Sequence, residues 1–244
     1  MGNEKDADLA RAWEENALDW ARWARTPGHD SYWRFHRSRF LELVPPPGRL
    51  TLDLGCGEGR LSRDLRALGH RVAAIDASPT LARLAAEADP ELEVHVADAA
   101  GLPLPDGAAD LAVAFMSLQD MDDLDGAVRE AARVLAPCGR FLAAVVHPLN
   151  SAGAFLGEEP DSAFAITDSY FERRRYSERM ERDGLRMTFE SRHWTFEDYF
   201  QCLRGAGFVV ERVREIPDEG DARWRRIPLF LHLRATRANA SQPG

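Results

Sequence analysis

The chain has 244 residues, a length that accommodates one α/β domain with additions and leaves little room for two independent cores. Apolar residues make up 45% and charged residues 29%, which excludes a chain disordered throughout. A net charge of -9 sets the protein's own field against a phosphate backbone, so nucleic acid is not expected as a partner and a small molecule is favoured.

From the N-terminus, Leu9, Trp13, Ala17, Trp20 and Ala24 recur at three- and four-residue steps. That period predicts an amphipathic helix over residues 4–25, stopped by Thr26-Pro27-Gly28. A second helical stretch is expected over 31–44, and Pro45-Pro46-Pro47-Gly48 ends it. Short β-rich runs near 50–54, 71–76, 92–97, 110–117 and 139–147 then alternate with helical patterns near 59–69, 79–88 and 123–136. Such alternation predicts a parallel, doubly wound sheet.

The stretch 148–193 breaks the rhythm. It is irregular, rich in Arg, Glu and aromatics, and is expected to be an insertion over the active face. Thr195 with Asp198 makes a capping box for a helix that Gly205-Ala206-Gly207 ends. Strands near 208–216 and 228–236, joined through Pro217-Asp218-Glu219-Gly220, predict a closing antiparallel pair, and the tail 238–244 is expected to fray. One domain is expected: a helical cap over 1–47, a cofactor-binding core over 48–147, a lid insertion over 148–193 and core completion over 194–237. The longest uncharged apolar runs, Leu111 to Leu118 and Phe141 to Val146, fall far short of the ~20 residues of a membrane span. No membrane association and a cytoplasmic location are expected. Cys56, Cys138 and Cys202 lack any CxxC pairing, which argues against a disulfide framework or a zinc site.

The strongest chemical signal is Thr51-Leu52-Asp53-Leu54-Gly55-Cys56-Gly57-Glu58-Gly59-Arg60, a strand running into a glycine turn and then a helix. Gly55 and Gly57 permit tight backbone geometry and close approach of a ligand. A dinucleotide fingerprint has the spacing G-x-G-x-x-G, whereas this chain has G-x-G-x-G with an aspartate two residues ahead. A carboxylate at Asp53 repels a pyrophosphate and attracts an ammonium. Asp76, 21 residues beyond Gly55, ends the second strand where an acid accepts both hydroxyls of a ribose. Asp98, with Ala99 after it, stands where a carboxylate accepts from an exocyclic amine such as adenine's. Adenosine joined to an amino acid is S-adenosylmethionine.

On these residues, and on Glu130-Ala131-Ala132-Arg133-Val134-Leu135-Ala136-Pro137-Cys138-Gly139, residues 50–147 resemble the core of the class I S-adenosylmethionine-dependent methyltransferases, small-molecule branch. The family usually has glycine where this chain has Cys138. The resemblance implies a seven-stranded, mostly parallel sheet with an antiparallel last strand pair, and S-adenosylhomocysteine as product. It implies that Asp53, Gly55, Cys56 and Gly57 hold the methionine moiety, Asp76 and Ala77 the ribose, and Asp98 with Ala99 the adenine. It also places Met116 and Ser117 under the sulfonium, with Gln119 opening toward the acceptor. Structural alternatives stand beside these roles, since Asp53, Asp76 and Asp98 are all residues that build turns.

The Phe115-Met116-Ser117-Leu118-Gln119-Asp120 run lacks the Asn/Asp-Pro-Pro-aromatic signature of many methyltransferases of exocyclic or amide nitrogens, which favours O- or C-methylation. Asp120, Asp122, Asp123 and Asp125 precede a helix, where acids meet the positive end of its dipole, and no metal is expected. Methyl transfer from a sulfonium is an in-line displacement that needs a base only if the acceptor arrives protonated. His147, after the fifth strand, is the candidate base, with the alternative that it bonds a turn backbone. His193, before the capped helix, is a second candidate base and a candidate for substrate contact, with the alternative that it is a helix-boundary residue. Trp20 and Tyr32, with other aromatics of the N-terminal segment and the insertion, are either ordinary core or the lining of a lid suited to a cation. Three rivals remain: a nicotinamide dehydrogenase, disfavoured by Asp53; an RNA methyltransferase, disfavoured by charge; and a non-catalytic binder of the same cofactor. Oligomeric state is not legible.

Overall fold

The computed structural model describes residues 8–239. Residues 4–7 of the expected first helix and 240–244 of the expected frayed tail lie outside them. Helix α1 spans Leu9–Arg25, capped by the Asp8 carboxylate, and buries Leu9, Ala17, Ala21, Trp23 and Ala24 on one face. The second expected helix is shorter than its pattern: a π-helical turn over Tyr32–His36 leads into α2, Arg37–Leu41. The remainder of the expected span, up to Val44, is turn and coil ahead of the prolines.

The core then alternates as the sequence implies: β1 Thr51–Leu54, α3 Arg60–Ala67, β2 Val72–Asp76, α4 Pro79–Ala88, β3 Glu93–Val96, β4 Ala109–Phe115, α5 Leu124–Val134 and β5 Leu135–Val146. After α7, Phe196–Gly205, the sheet is completed by β10, Phe208–Ile216, and β11, Phe230–Arg237. Seven strands form one sheet in the order β10-β11-β5-β4-β1-β2-β3. All neighbours are parallel except β11, which runs antiparallel to both β10 and β5. Along β4 the side chains alternate between layers. Leu111, Val113 and Phe115 pack with Tyr32, Phe40 and Leu65, whereas Ala112 and Ala114 face the side that holds Val128 and Leu203. A sheet covered on both faces gives strands as uniformly buried as β1. The strand order reverses between β1 and β4, and the crevice outside those strand ends is where ligands of open α/β sheets bind.

The insertion is more regular than its sequence suggests. It holds a short helix α6, Pro148–Ala152, a small pair β6, Ala154–Phe155, with β7, Phe164–Ala165, and a hairpin of two eight-residue strands, β8, Arg175–Arg182, and β9, Leu185–Arg192. The hairpin turns at Asp183-Gly184, both with positive φ, the two-residue turn whose twist matches the flanking strands. Among the described residues, no helix is long and apolar enough to cross a membrane.

Candidate functional site

Strand β1 delivers Asp53 and Leu54 to the glycine turn at the centre of the sheet edge. A side chain at Gly55, whose φ is +68°, would place its Cβ 2.5 Å from that of Ser117, so the ends of β1 and β4 approach this closely only through glycine. Ser117 closes the same gap by donating its hydroxyl to the Leu54 carbonyl at 2.6 Å. Asp76, at the end of β2, accepts from the Gly57 N–H at 2.7 Å and from the Ser78 N–H at 2.9 Å. It thus fastens the glycine turn to its own turn, and burial pushes its carboxyl up to about 6 against these hydrogen bonds.

Asp53 is 1% exposed. The Ser62 hydroxyl, one turn into α3, donates to its Oδ2 at 2.5 Å, while Oδ1 is buried without a partner among the described residues. Burial pushes this carboxyl up to about 7; the Ser62 hydrogen bond works against the shift, the nearby Asp76 charge adds to it, and the Arg60 charge pulls it back slightly. A buried carboxylate oxygen with an open lone pair is costly unless something cationic reaches it. Cys56 is buried beside it as a free thiol.

The remaining expected cofactor residues line the same edge. Asp98 is exposed and accepts from the Ala100 N–H at 2.8 Å, so it builds a turn, and among the described residues its second oxygen has no hydrogen-bond partner. Ala99 is buried beneath it, and Ala77 is exposed beside Asp76. Met116 holds φ at +53°, a strained value for a side chain of its size, at the point where β4 leaves the sheet. Gln119 is buried; its amide N–H donates to the Met116 carbonyl at 2.6 Å, and its Oε1 has no partner among the described residues.

Helix α1 and the β8–β9 hairpin meet above this edge. The Glu14 carboxylate accepts from the Ser78 hydroxyl, the Thr80 N–H and the Thr80 hydroxyl, tying α1 to the turn after β2. Arg25 reaches the buried Glu58 of the glycine turn at 3.1 Å. The Trp13 indole N–H donates to the Glu190 carbonyl of β9 at 2.9 Å, and the Ser191 hydroxyl donates to Asp120 at 2.6 Å. Trp20 lies edge-on to Phe189 of β9, and its Nε1 is 3.2 Å from where a Cβ on Gly57 would sit. Trp20 therefore covers the glycine turn directly. The broad open depression between α5 and α7, lined by Asp123, Trp194, Asp198 and Gln201, includes no residue of that turn.

The aromatic cluster does not present an empty cage for a cation. The Arg60 guanidinium already lies 5.0 Å from the Trp20 ring centroid, 4.9 Å from that of Tyr32 and 5.9 Å from that of Phe115. Tyr32 is fully buried and its hydroxyl donates to Asp64 at 2.6 Å, so its ring faces Arg60 while its hydroxyl is committed elsewhere. Burial pushes that phenol above its usual range.

Neither histidine is placed as a base. His147 caps α6: its Nδ1 accepts from the Leu149 N–H at 3.1 Å, which puts the ring proton on Nε2, directed to Glu215 at 3.0 Å. No lone pair is left to take a proton from an acceptor. His193 is held by the Ser151 hydroxyl at 2.7 Å and the Tyr170 carbonyl at 2.8 Å, which ties the insertion to the start of α7. Burial lowers the affinity of both rings for a proton. The acids after β4 divide as well. Asp123 caps α5 through the Gly126 N–H, and Asp122 receives the Leu9 N–H of α1. Asp120, read from sequence as one more helix-start acid, instead receives Ser191 and Gln119, and burial pushes its carboxyl well up. Sequence reasoning also gave no role to Arg60 and Glu14, whose partners Asp30, Ser78 and Thr80 lie 30 and 64 to 66 positions away in the chain.

Residues 52–143 match the family described as Methyltransferase domain. Over 113 residues the chain is 37% identical to a ubiquinone/menaquinone biosynthesis C-methyltransferase of Caulobacter sp. (strain K31), covering 41% of this chain and 45% of that protein. Over 96 residues it is 36% identical to a malonyl-[acyl-carrier protein] O-methyltransferase of Serratia marcescens, covering 39% and 38%. The core of this chain is a class I S-adenosylmethionine-dependent methyltransferase domain. The chain spans less than half the length of these two curated relatives. An S-adenosylmethionine-dependent methyltransferase from Mesorhizobium loti shares the methyltransferase fold at a TM-score of 0.67 and 23% identity, covering 85% of this chain and 98% of that one. The cofactor of the domain is S-adenosylmethionine, and the residues at the edge of β1 and β2 fit it: the unpartnered Asp53 oxygen suits an ammonium, and a glycine backbone allows close approach.

Proposed function

We propose that this protein transfers a methyl group from S-adenosylmethionine to a small organic acceptor, at oxygen or carbon. The unpartnered, buried Asp53 oxygen at a glycine turn carries the reading, because it suits the cofactor's ammonium and opposes the pyrophosphate of a dinucleotide. When bound, the cofactor supplies a methyl group already activated on a sulfonium. Asp53 then holds the methionine moiety, Asp76 the ribose and Asp98 with Ala99 the adenine, while Met116 and Ser117 form the floor at the end of β4. Asp76 retains a lone pair on each oxygen beyond its two backbone bonds, which leaves room for the ribose hydroxyls. Trp20, Tyr32 and Gln119 line the acceptor side, and α1 with the β8–β9 hairpin excludes water as a lid.

The two curated relatives above are named for C- and O-methylation, which supports the choice of atom. The Arg60 cation beside the site supports it further, since it disfavours an ammonium acceptor. With both histidines occupied by other bonds, alignment and water exclusion supply the acceleration. Calorimetry with S-adenosylhomocysteine and with NADH tests the reading. Binding of the first and not the second is expected; binding of NADH without response to S-adenosylhomocysteine refutes it.

A further inference from the structure

We propose that Arg60 recognises a carboxylate on the methyl acceptor, so that the acceptor is an organic acid rather than an amine or a neutral compound. The inference rests on the methyl-transfer reading and names the substrate class within it.

Arg60 opens α3 immediately after the glycine turn, and its side chain is only 12% exposed. A guanidinium carries five N–H donors, and taking one out of water is costly unless they find acceptors. Among the described residues its one hydrogen-bond partner is Asp30, reached through Nη1. The same Asp30 oxygen also accepts from the Tyr32 N–H at 2.7 Å, so it is shared. Among those residues Nε and Nη2 have no acceptor, and neither is sealed from solvent, so both stay open to a ligand in place of water. The Asp30 carboxylate anchors the group at Nη1, and the rings of Trp20, Tyr32 and Phe115 steady its charge through their faces while using none of its N–H groups. The result is a positioned cation with donors to spare, and the planar fork of an arginine matches a carboxylate through two parallel hydrogen bonds.

Location assigns the ligand. Phe115 is the last residue of β4, directly ahead of Met116 and Ser117, and Trp20 covers Gly57, so the guanidinium lies between the glycine turn and the end of β4. Its neighbours Tyr32 and Asp30 belong to the N-terminal cap over the acceptor side, whereas the acids that face the cofactor, Asp53 and Asp76, end sheet strands. A carboxylate is also present on the methionine moiety of the cofactor. The test separates the two sources.

The protein loaded with saturating S-adenosylhomocysteine is titrated with matched pairs of probes: benzoate and benzamide, 4-hydroxybenzoate and 4-hydroxybenzamide, hexanoate and hexanamide. Ligand-observed NMR gives the affinities, and calorimetry gives the affinity for S-adenosylhomocysteine itself. At least one acid should bind roughly tenfold or more tightly than its amide, the discrimination typical of a charge-assisted pair. Arg60→Gln should abolish that preference and leave S-adenosylhomocysteine affinity within about twofold, and Arg60→Lys, which keeps the charge without the fork, should retain part of it. Equal binding of acids and amides, or binding of none of the acids, overturns the proposal while S-adenosylhomocysteine still binds. A loss of S-adenosylhomocysteine affinity in Arg60→Gln and Arg60→Lys with the acid preference intact reassigns Arg60 to the cofactor and overturns it too. Failure of the wild-type protein to bind S-adenosylhomocysteine is a different result and defeats the methyl-transfer reading itself.

Discussion

Replacing Asp53 by asparagine should weaken the cofactor complex and, at neutral pH, relieve the free protein. The carboxyl is 1% exposed, its Oδ2 satisfied by Ser62 and its Oδ1 by none of the described residues. Its folded-state value rises from the ordinary 3.8 to about 7. A carboxyl raised on folding contributes stability that is complete below the unfolded value and is lost as pH climbs through the folded one. A tenfold change in proton affinity is worth about 1.4 kcal/mol, so ionising Asp53 in the free protein costs about 4 kcal/mol by pH 8, of which about 3 kcal/mol accrues between pH 5 and pH 8. Asparagine keeps the shape and can accept the Ser62 hydrogen bond, yet never ionises.

Urea unfolding of wild type and Asp53→Asn at pH 5 and pH 8, without ligand, therefore has a defined double difference. The variant should gain on the wild type by about 3 kcal/mol between the two pH values, whatever its packing cost, because that cost is common to both. Every other titrating group is also common to both proteins, apart from Asp76, whose charge is coupled to that of Asp53. Calorimetry at pH 8 should show S-adenosylhomocysteine binding roughly tenfold to a hundredfold weaker in the variant, the value of a charge-assisted bond to the ammonium. Parallel pH dependences together with unchanged affinity would refute the assignment of Asp53 as a strained anion kept for a cationic ligand.

Cys138 occupies a left-handed backbone position at φ +63°, where the family it resembles usually has glycine. Cys138→Gly should raise stability by about 1 kcal/mol, measured as a higher midpoint in thermal unfolding, because the side-chain penalty there exceeds glycine's entropic one. The buried pair His36 and His232, 2.9 Å apart through Nδ1 and Nε2, is held neutral: burial drives His36 well below its ordinary value and His232 to about 4. Histidines depressed on folding stabilise above pH 6.5 and lose that contribution as pH falls toward the folded values, so His36→Gln/His232→Gln should flatten the acid limb of a stability profile between pH 6.5 and pH 4. Hydrogen exchange should slow in α1 and the β8–β9 hairpin when S-adenosylhomocysteine is added, as expected of a lid; equal protection in both states would make them fixed cover.

The contrast between what the sequence exposed and what it concealed follows from the range of the interactions. The glycine turn, Asp53 and Asp76 were legible because one strand, one turn and the next strand end lie within about 25 residues and obey a fixed spacing. The capping box at Thr195 and the closing hairpin are local too, and the structure reproduces them. The β8–β9 hairpin passed unseen because its first strand, Arg175-Tyr176-Ser177-Glu178-Arg179-Met180-Glu181-Arg182, is largely solvent-facing and shows no apolar alternation. Its one readable mark was Asp183-Gly184.

The site's polar chemistry depended instead on contacts that no spacing reveals. His147 stands at the end of a central strand, the place where catalytic groups gather, but strand ends fix a residue's position and not the orientation of its ring. The following Pro148 fixes the first residue of a helix, and a residue ahead of such a proline is a natural N-cap. The Leu149 N–H takes the ring's lone pair, and the pKa that made histidine attractive becomes irrelevant. Arg60 shows the converse: it is the last residue of the Thr51 to Arg60 run, and nothing in that spacing gives it a role. Only the fold brings Asp30, Trp20, Tyr32 and Phe115 around it and leaves Nε and Nη2 unclaimed among the described residues. A histidine with every nitrogen bonded can add little to a reaction, whereas a mostly buried arginine with donors left over after Asp30 can still bind a ligand.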